Sequence, residues 1–353
     1  MKVLFYVEYP YYFPHFLPIG TYFALQNADV VYVLSDKQNS DNMEAIAKEN
    51  DIKYTFDNRA LHESTVDIIF FANPYESMEQ ITALTLFLEH GIGTKSTSFF
   101  PFIEEVDIYL VEGMQKYNRL KTLYPIYEDK LALVGFSKFD EIVHFSKEKK
   151  KILYKKYHMD GTKKTILYAP TFFPSSIERM ADNFPQQFLE YNIIVKPHYL
   201  SYERKKYKKQ IEKFKLWEKY PHCTILPLAE YNLVPWLAIA DVMISDESSA
   251  MFEFAALNKP VISNQYFKLR LSYYLMPWKL NKRIDSSKSK FREILDNAYS
   301  YTETIKYVKE ALENPEKLAS KRVEFSEALA GKIDGKVSER IYSVVINKCK
   351  DSK

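Results

Sequence analysis

Ala240-Asp-Val-Met-Ile-Ser-Asp-Glu-Ser-Ser-Ala-Met-Phe-Glu-Phe-Ala-Ala-Leu-Asn-Lys-Pro-Val-Ile262 decides the fold. It reads as strand, turn, helix, strand. Asp241–Ser245 is a short apolar run suited to a buried parallel strand. Asp246, Ser248 and Ser249 then open a helix, where their side chains can cap free backbone N–H groups. The helix runs to about Leu257, Asn258 stops it, and Pro260 precedes the next apolar run. A helix N-terminus just past the C-terminal end of a strand turns several N–H groups and the positive dipole end toward one point. Two serines there suit a phosphate, which offers more acceptor oxygens than a carboxylate. The alternative is an ordinary Ser-capped helix of an α/β domain.

The pattern extends along the chain. Apolar runs at Val3–Val7, Asp29–Leu34, Val66–Phe71, Ile108–Val111 and Leu131–Val134 predict strands, with helices over Asn42–Glu49 and Ser77–Glu89. A second series follows at Thr165–Tyr168, Tyr191–Val195, Thr224–Leu226, Asp241–Ser245 and Pro260–Ser263. From Phe291 onward the chain reads as amphipathic helices. The alternation implies α/β architecture with two doubly wound parallel sheets, whose strand C-termini are expected at a shared cleft. A chain of 353 residues suits about two domains. The net charge of +3 leaves no nucleic-acid footprint. Cys223 and Cys349 lie far apart and near no His cluster, which predicts neither a disulfide framework nor a metal site. Glu8 and a Tyr-Pro pair interrupt the first apolar run too early for a secretory signal, and no run is long enough to span a membrane.

Four segments carry candidate chemistry. Glu89-His-Gly-Ile-Gly-Thr-Lys95 follows a predicted helix. There Gly91 admits close backbone approach, His90 exchanges protons near neutrality and Lys95 neutralises phosphate. A helix stop with a surface histidine is the plainer reading. Thr165–Phe172 brings Pro170 and Thr171 to a strand end, and Ile193–Tyr199 brings Lys196 and His198 to another. The fourth is the serine turn.

Together these segments resemble the CDP-glycerol glycerophosphotransferase family of teichoic acid primases and polymerases. The resemblance rests on His90-Gly91, on Ile166-Leu-Tyr-Ala-Pro-Thr171, on Lys196-Pro-His198, on Ser245–Phe254 and on Lys259-Pro-Val-Ile262. Gly135-Phe-Ser-Lys-Phe-Asp140 looks like a degraded Gly-x-Pro-Arg-x-Asp segment, with Lys138 at the usual arginine. Glu247 and Glu253 stand where the family usually has Tyr and Asp. The resemblance implies a GT-B fold with an acceptor-side domain over 1–150, a linker over 151–164, a nucleotide-donor-binding domain over 165–290 and C-terminal helices over 291–353. It implies metal-free transfer of a polyol phosphate from a CDP-linked donor to a lipid-linked or glycan acceptor, without a cofactor.

On that reading His90 is the general base, and His198 with Lys196 stabilises the transferring phosphate or the leaving CMP. Ser248, Ser249 and Asp246 serve the donor at the turn, Glu253 takes a ribose hydroxyl, and Gly91, Lys95, Lys138, Pro170 and Thr171 complete the substrate contacts. The other readings are a glycosyltransferase using a nucleotide sugar and a catalytically silent nucleotide-binding scaffold. The aromatic stretch Glu8–Phe23, with prolines against a regular helix in its first part, is expected at the acceptor side or a membrane interface, or else packed under the first helix. His15 reads as a packing histidine. Lysine clusters at Lys147–Lys156 and Arg204–Lys209 suit an anionic membrane surface. The expected location is cytoplasmic, peripheral on the inner membrane face.

Overall fold

A computed structural model describes residues 1–36, 40–92, 100–269 and 291–351. In chain order the elements of the first stretch are β1 (Lys2–Val7), α1 (Phe13–Leu25), β2 (Asp29–Leu34), α2 (Ser40–Glu49), β3 (Tyr54–Thr55), β4 (Ile68–Phe71), β5 (Leu84–Leu88), β6 (Ile108–Val111), α3 (Met114–Leu123), β7 (Leu131–Leu133) and α4 (Lys138–Val143). Then come α5 (Lys147–Lys156), β8 (Thr165–Ala169), β9 (Asn192–Val195), α6 (Tyr199–Glu203), α7 (Lys208–Trp217), β10 (Cys223–Ile225), α8 (Val234–Ile239), β11 (Val242–Ser245), α9 (Ala250–Ala256) and β12 (Val261–Asn264). The chain closes with β13 (Asp296–Ala298), α10 (Tyr301–Glu313), α11 (Ala319–Ala330) and α12 (Val337–Asp351).

Two compact units result. The first holds residues 1–36, 40–92, 100–144 and 327–351, the second residues 145–269 and 291–326. Each is built on a parallel sheet, with strand order β3-β2-β1-β4-β5-β6-β7 in the first and β10-β9-β8-β11-β12-β13 in the second. Alternation along each strand divides the core of the first unit. Phe5 stacks on Phe70 and Tyr32, with ring centroids 4.6 and 5.1 Å apart, on the face that packs α1. Leu4 and Tyr6 point to the opposite face, among Leu61, Phe100 and Ile103. In the second unit Ile166, Tyr168, Ile193 and Val242 pack with Trp217, Phe184 and Phe188.

The structure departs from the sequence expectation in four places. Leu84–Leu88 is a strand, not the end of a helix. It lies between β4 and β6. Its residues from Thr85 to Leu88 are buried, so the segment is apolar on both faces and its periodicity does not separate strand from helix. The aromatic stretch is helical: a 3₁₀ turn at Pro10–Tyr12 leads into α1. Pro14 sits in the first turn, where an N–H has no helical partner. Tyr12, Phe13 and Phe16 are fully buried, so these rings are core and not a membrane face. The stretch from Phe291 contains a strand, β13, paired with β12. The unit boundary falls at 144/145, the expected linker is partly α5 of the second unit, and α12 belongs to the first.

The attachment of α12 explains the Gly135–Asp140 segment. Gly135 has φ +99°, and a Cβ there would lie 3.0 Å from Val337 Cγ2. The Asp140 carboxylate accepts hydrogen bonds from Val337 N (2.9 Å), Ser338 N (2.8 Å) and Ser338 Oγ (2.8 Å), capping α12 from outside. Asp140→Ala is expected to lower stability by about 2 kcal/mol, the upper end for a lost helix cap. A urea midpoint that falls at unchanged slope checks this.

Candidate functional site

In the first unit the site residues gather past the C-terminal ends of β4, β5 and β7. His90 follows β5 directly, so the sheet, and not a helix end, places it. Its partly buried ring lies against Tyr11 and Tyr12, at centroid distances of 5.2 and 5.3 Å, and is hydrogen-bonded to the backbone at Ala72. Its carbonyl accepts from His15 Nε2 at 3.2 Å. Burial pushes the His90 pKa down to about 4; Glu89 opposes the shift, and Lys138 and Lys116 add to it. His90 is therefore a neutral imidazole at physiological pH. Glu89 is itself paired. Lys116 Nζ lies 3.2 Å from Glu89 Oε2 and 2.6 Å from Glu112 Oε1, and the Tyr109 hydroxyl donates to Glu89 Oε1 at 2.7 Å. Lys138, at the start of α4, is buried, its ammonium 5.6 Å from the Phe136 ring centroid. Gly91 is buried beside His90. Lys95 lies outside the described residues.

In the second unit β9, β8, β11 and β12 are adjacent, and their C-terminal ends carry the remaining candidates. Lys196 follows β9, its backbone N–H bonded to Tyr168 O at 2.8 Å. Burial lowers its pKa to about 8, with Glu230 opposing. His198 caps α6: its Nδ1 accepts from Leu200 N at 3.2 Å. A neutral His198 therefore carries its proton on Nε2, which suits donation to a phosphate oxygen rather than proton removal. Its ring is stacked on Tyr199 and lies 4.7 Å from Phe172.

The Asp246 carboxylate is not a cap for the helix it precedes. It accepts from Thr171 N (2.5 Å), Ser175 Oγ (3.1 Å), Ser176 N (3.0 Å) and Ser176 Oγ (3.1 Å), and is fully buried. It ties the loop after β8 to the end of β11, and Ser245 Oγ adds a bond to Ala169 O at 2.7 Å. Thr171 and Pro170 are buried in that loop. Ser248 and Ser249 are half-buried. Ser248 Oγ accepts from Ala250 N at 3.3 Å, whereas Ser249, at the N-cap position, makes no side-chain cap bond. Glu253 is buried on α9, one turn beyond Ser249. Lys259 is structural: Nζ donates to Leu237 O, Ala238 O and Ala240 O at 2.8, 2.8 and 2.9 Å, closing the C-terminal end of α8.

Sequence reading missed two features. One is Arg292, whose Nη2 donates to the buried Glu247 at 2.8 Å and which also binds Gln265. The other is the Glu89–Lys116–Glu112 network. Only Glu112 and Lys116, four residues apart, have a local signature; Arg292 and Glu247 lie 45 residues apart. Among the described residues no group of three or more His, Cys, Asp or Glu could hold a metal ion.

The model of the CDP-Glycerol:Poly(glycerophosphate) glycerophosphotransferase family matches residues 93–347. The chain belongs to this family. Family membership thus covers all of the second unit's candidates and begins just after His90. Two curated relatives are teichoic acid glycerol-phosphate primases. The one from Bacillus spizizenii is 34% identical over 127 residues, covering 34% of this chain and 30% of the relative. The one from Bacillus subtilis is 30% identical over 165 residues, covering 45% and 39%. The matched stretches thus span well under half of these relatives. Among solved structures, the wall teichoic acid polymerase TagF aligns with TM-score 0.64 at 15% identity, over 99% of this chain and 89% of that one. UDP-GlcNAc 2-epimerase from Neisseria meningitidis, bound to UDP-GlcNAc, aligns with TM-score 0.65 at 11% identity, over 99% and 100%. These likenesses show the fold: a GT-B glycerophosphotransferase-family chain with two parallel α/β domains.

The four bonds on Asp246 separate framework from ligand contact. Asp246→Asn sets an amide N–H against the donors at Ser176 and is expected to cost about 2–3 kcal/mol, as for a broken buried bond to a charged group. Ser248→Ala with Ser249→Ala is expected to leave the urea midpoint nearly unchanged while weakening CMP binding in a calorimetric titration.

Proposed function

We propose that this chain transfers glycerol phosphate, or a closely similar polyol phosphate, from a CDP-linked donor to a hydroxyl of a lipid-linked or glycan acceptor in cell-envelope polymer synthesis. The observation that carries the reading is the family match over residues 93–347, joined by His90 held through backbone and aromatic contacts at a strand end. The acceptor oxygen attacks the phosphorus that carries the polyol, its proton passes to His90, and the bond to the CMP phosphate oxygen breaks, releasing CMP. A base must reach the reaction unprotonated, and His90 does so at any physiological pH. An anionic donor beside the ring favours its charged form, so donor binding strengthens it as a base. In the second unit Lys196 and His198 supply a cation and an N–H for developing phosphate charge, Ser248 and Ser249 supply hydroxyls, and Glu253 takes a ribose hydroxyl. Lys138 and Thr171 complete the substrate contacts.

His90→Ala is expected to cut CMP release from CDP-glycerol by on the order of 10²–10⁴ at unchanged CMP affinity, the usual loss for a general base. Near-native turnover would overturn the assignment. A panel of CDP-glycerol, CDP-ribitol and common nucleotide sugars fixes the donor class.

The pH dependence has a definite sign. The His90 value near 4 lies below the ordinary 6.5, so the unfolded chain binds more protons between those values. Stability conferred by the neutral ring is full above 6.5 and is lost as pH falls toward 4. The acid limb of kcat/KM, which reports the free enzyme, is expected to show no inflection near 6.5 and to fall only toward about pH 4. An inflection at 6–7 that vanishes in no His90 variant would argue for another base.

No helix among the described residues is long and apolar enough to cross a membrane. We propose that contact with an anionic membrane surface runs through the exposed lysines of α5, because Tyr12, Phe13 and Phe16 of the aromatic segment are buried. Flotation with anionic liposomes is expected at low salt and lost at high salt, as exposed charges are screened over about 10 Å at 0.1 M. No binding at low salt would sink the idea.

A further inference from the structure

We propose that His15, on α1, is a positioning residue that holds His90 in its working orientation; the proposal rests on the reading of His90 as the base. His15 is fully buried, and both of its ring nitrogens are bonded. Nε2 lies 3.2 Å from the carbonyl oxygen of His90, and Nδ1 lies 3.2 Å from Ser137 Oγ. A carbonyl can only accept, so Nε2 carries the proton. Nδ1 is then the acceptor, and the Ser137 hydroxyl donates to it. One hydrogen-bonded line therefore runs from Ser137 through the His15 ring to the His90 backbone.

The line joins three elements of the first unit. Ser137 is the N-cap position of α4, directly before Lys138; His15 sits in the first turn of α1; and His90 follows β5. The same N-terminal segment also meets the other side of His90, where Tyr11 and Tyr12 lie against its imidazole. Backbone and ring of the base are thus both held from residues 11–15. The Phe136 ring stands edge-on to His15 at 5.0 Å and limits its tilt.

Core filling alone does not explain a histidine here. Its neighbours Tyr12, Phe13, Phe16 and Ile19 are fully buried, and a Leu or Phe would bury the same face without two polar atoms needing partners. Imidazole offers a donor and an acceptor on one rigid, uncharged plane, at the separation that spans the two loops. A carbonyl fixed next to the reacting ring matters because displacement of a catalytic group by about 1 Å can cost on the order of 10²-fold in rate.

The test compares His15→Leu, His15→Asn and His15→Gln with His90→Ala, scoring kcat and KM for CDP-glycerol, CMP affinity and the urea midpoint. Gln places an N–H at the reach of Nε2, whereas Asn reaches only to Nδ1. His15→Leu and His15→Asn are expected to lose on the order of 10- to 100-fold in kcat per folded molecule, with CMP affinity unchanged. His15→Gln is expected to recover most of that loss. A purely structural role would lower the urea midpoint of the variants while kcat per folded molecule stayed native, and that result overturns the proposal. If His15→Leu does not fold, equal kcat in the Asn and Gln variants overturns it, and Gln well above Asn supports it. An inactive His90→Ala beside a fully active His15→Leu sinks this inference alone; an active His90→Ala sinks the general-base reading with it.

Discussion

The second unit depends on a carboxylate that has no access to solvent. Asp246 sits at the end of β11 with four hydrogen bonds from the loop after β8. An unpaired buried charge costs several kcal/mol, so the loop must close on Asp246 for the unit to fold. Closure fixes the Pro170–Thr171 backbone beside the serine turn, since Asp246 and Ser248 are two residues apart and Ser248 N bonds Asp246 O. The hydroxyls of the turn therefore gain their place from a neighbour whose carboxylate is engaged by the loop after β8. Rigidity of this kind lets donor groups meet phosphate without reorganising.

The first unit solves a different problem. The His90 ring lies close to carboxylates, and Glu89 acts to raise its pKa. Burial of the ring outweighs that field, and Lys138 and then Lys116, which is paired between Glu89 and Glu112, add to the downward shift. The negative charge is kept inside the protein and the imidazole stays neutral.

Much of this fold is legible in the sequence. The βαβ alternation, the two parallel sheets and most strand positions follow from short apolar runs separated by helical patterns. Leu84–Leu88 misleads because a strand buried on both faces loses its alternation. The stretch Glu8–Phe23 misleads because Pro10 and Pro14 fall in first turns, where a helix tolerates them, and α1 continues through Pro18. The candidate site is legible by residue type and position: histidine, lysine, serine and threonine at strand ends. What the sequence withholds is whether each polar group is already satisfied inside the protein. Asp140, Asp246 and Lys259 stand in the segments that carry the resemblance, and each anchors the framework through partners 198, 75 and about 20 residues away. No local pattern carries that information.

The same distinction bears on where this chain departs from its family. Glu247 stands where Tyr is usual, and a carboxylate at that depth needs a cation. Arg292 supplies it, from just before β13. The departure is therefore answered within the unit, and its by-product is a guanidinium bonded to Glu247, the residue before Ser248. Lys138 is a different case. Its stem lies buried beside Phe136, where a lysine packs its methylenes and presents a single point charge. An arginine would offer a planar fork there. The charge balance of the family motif is thus redistributed: a fork near the serine turn of the second unit, a point charge in the first. The fork is fixed by bonds to Glu247 and Gln265, whereas the lysine packs its stem beside Phe136, so the two cations differ in how the fold orients them.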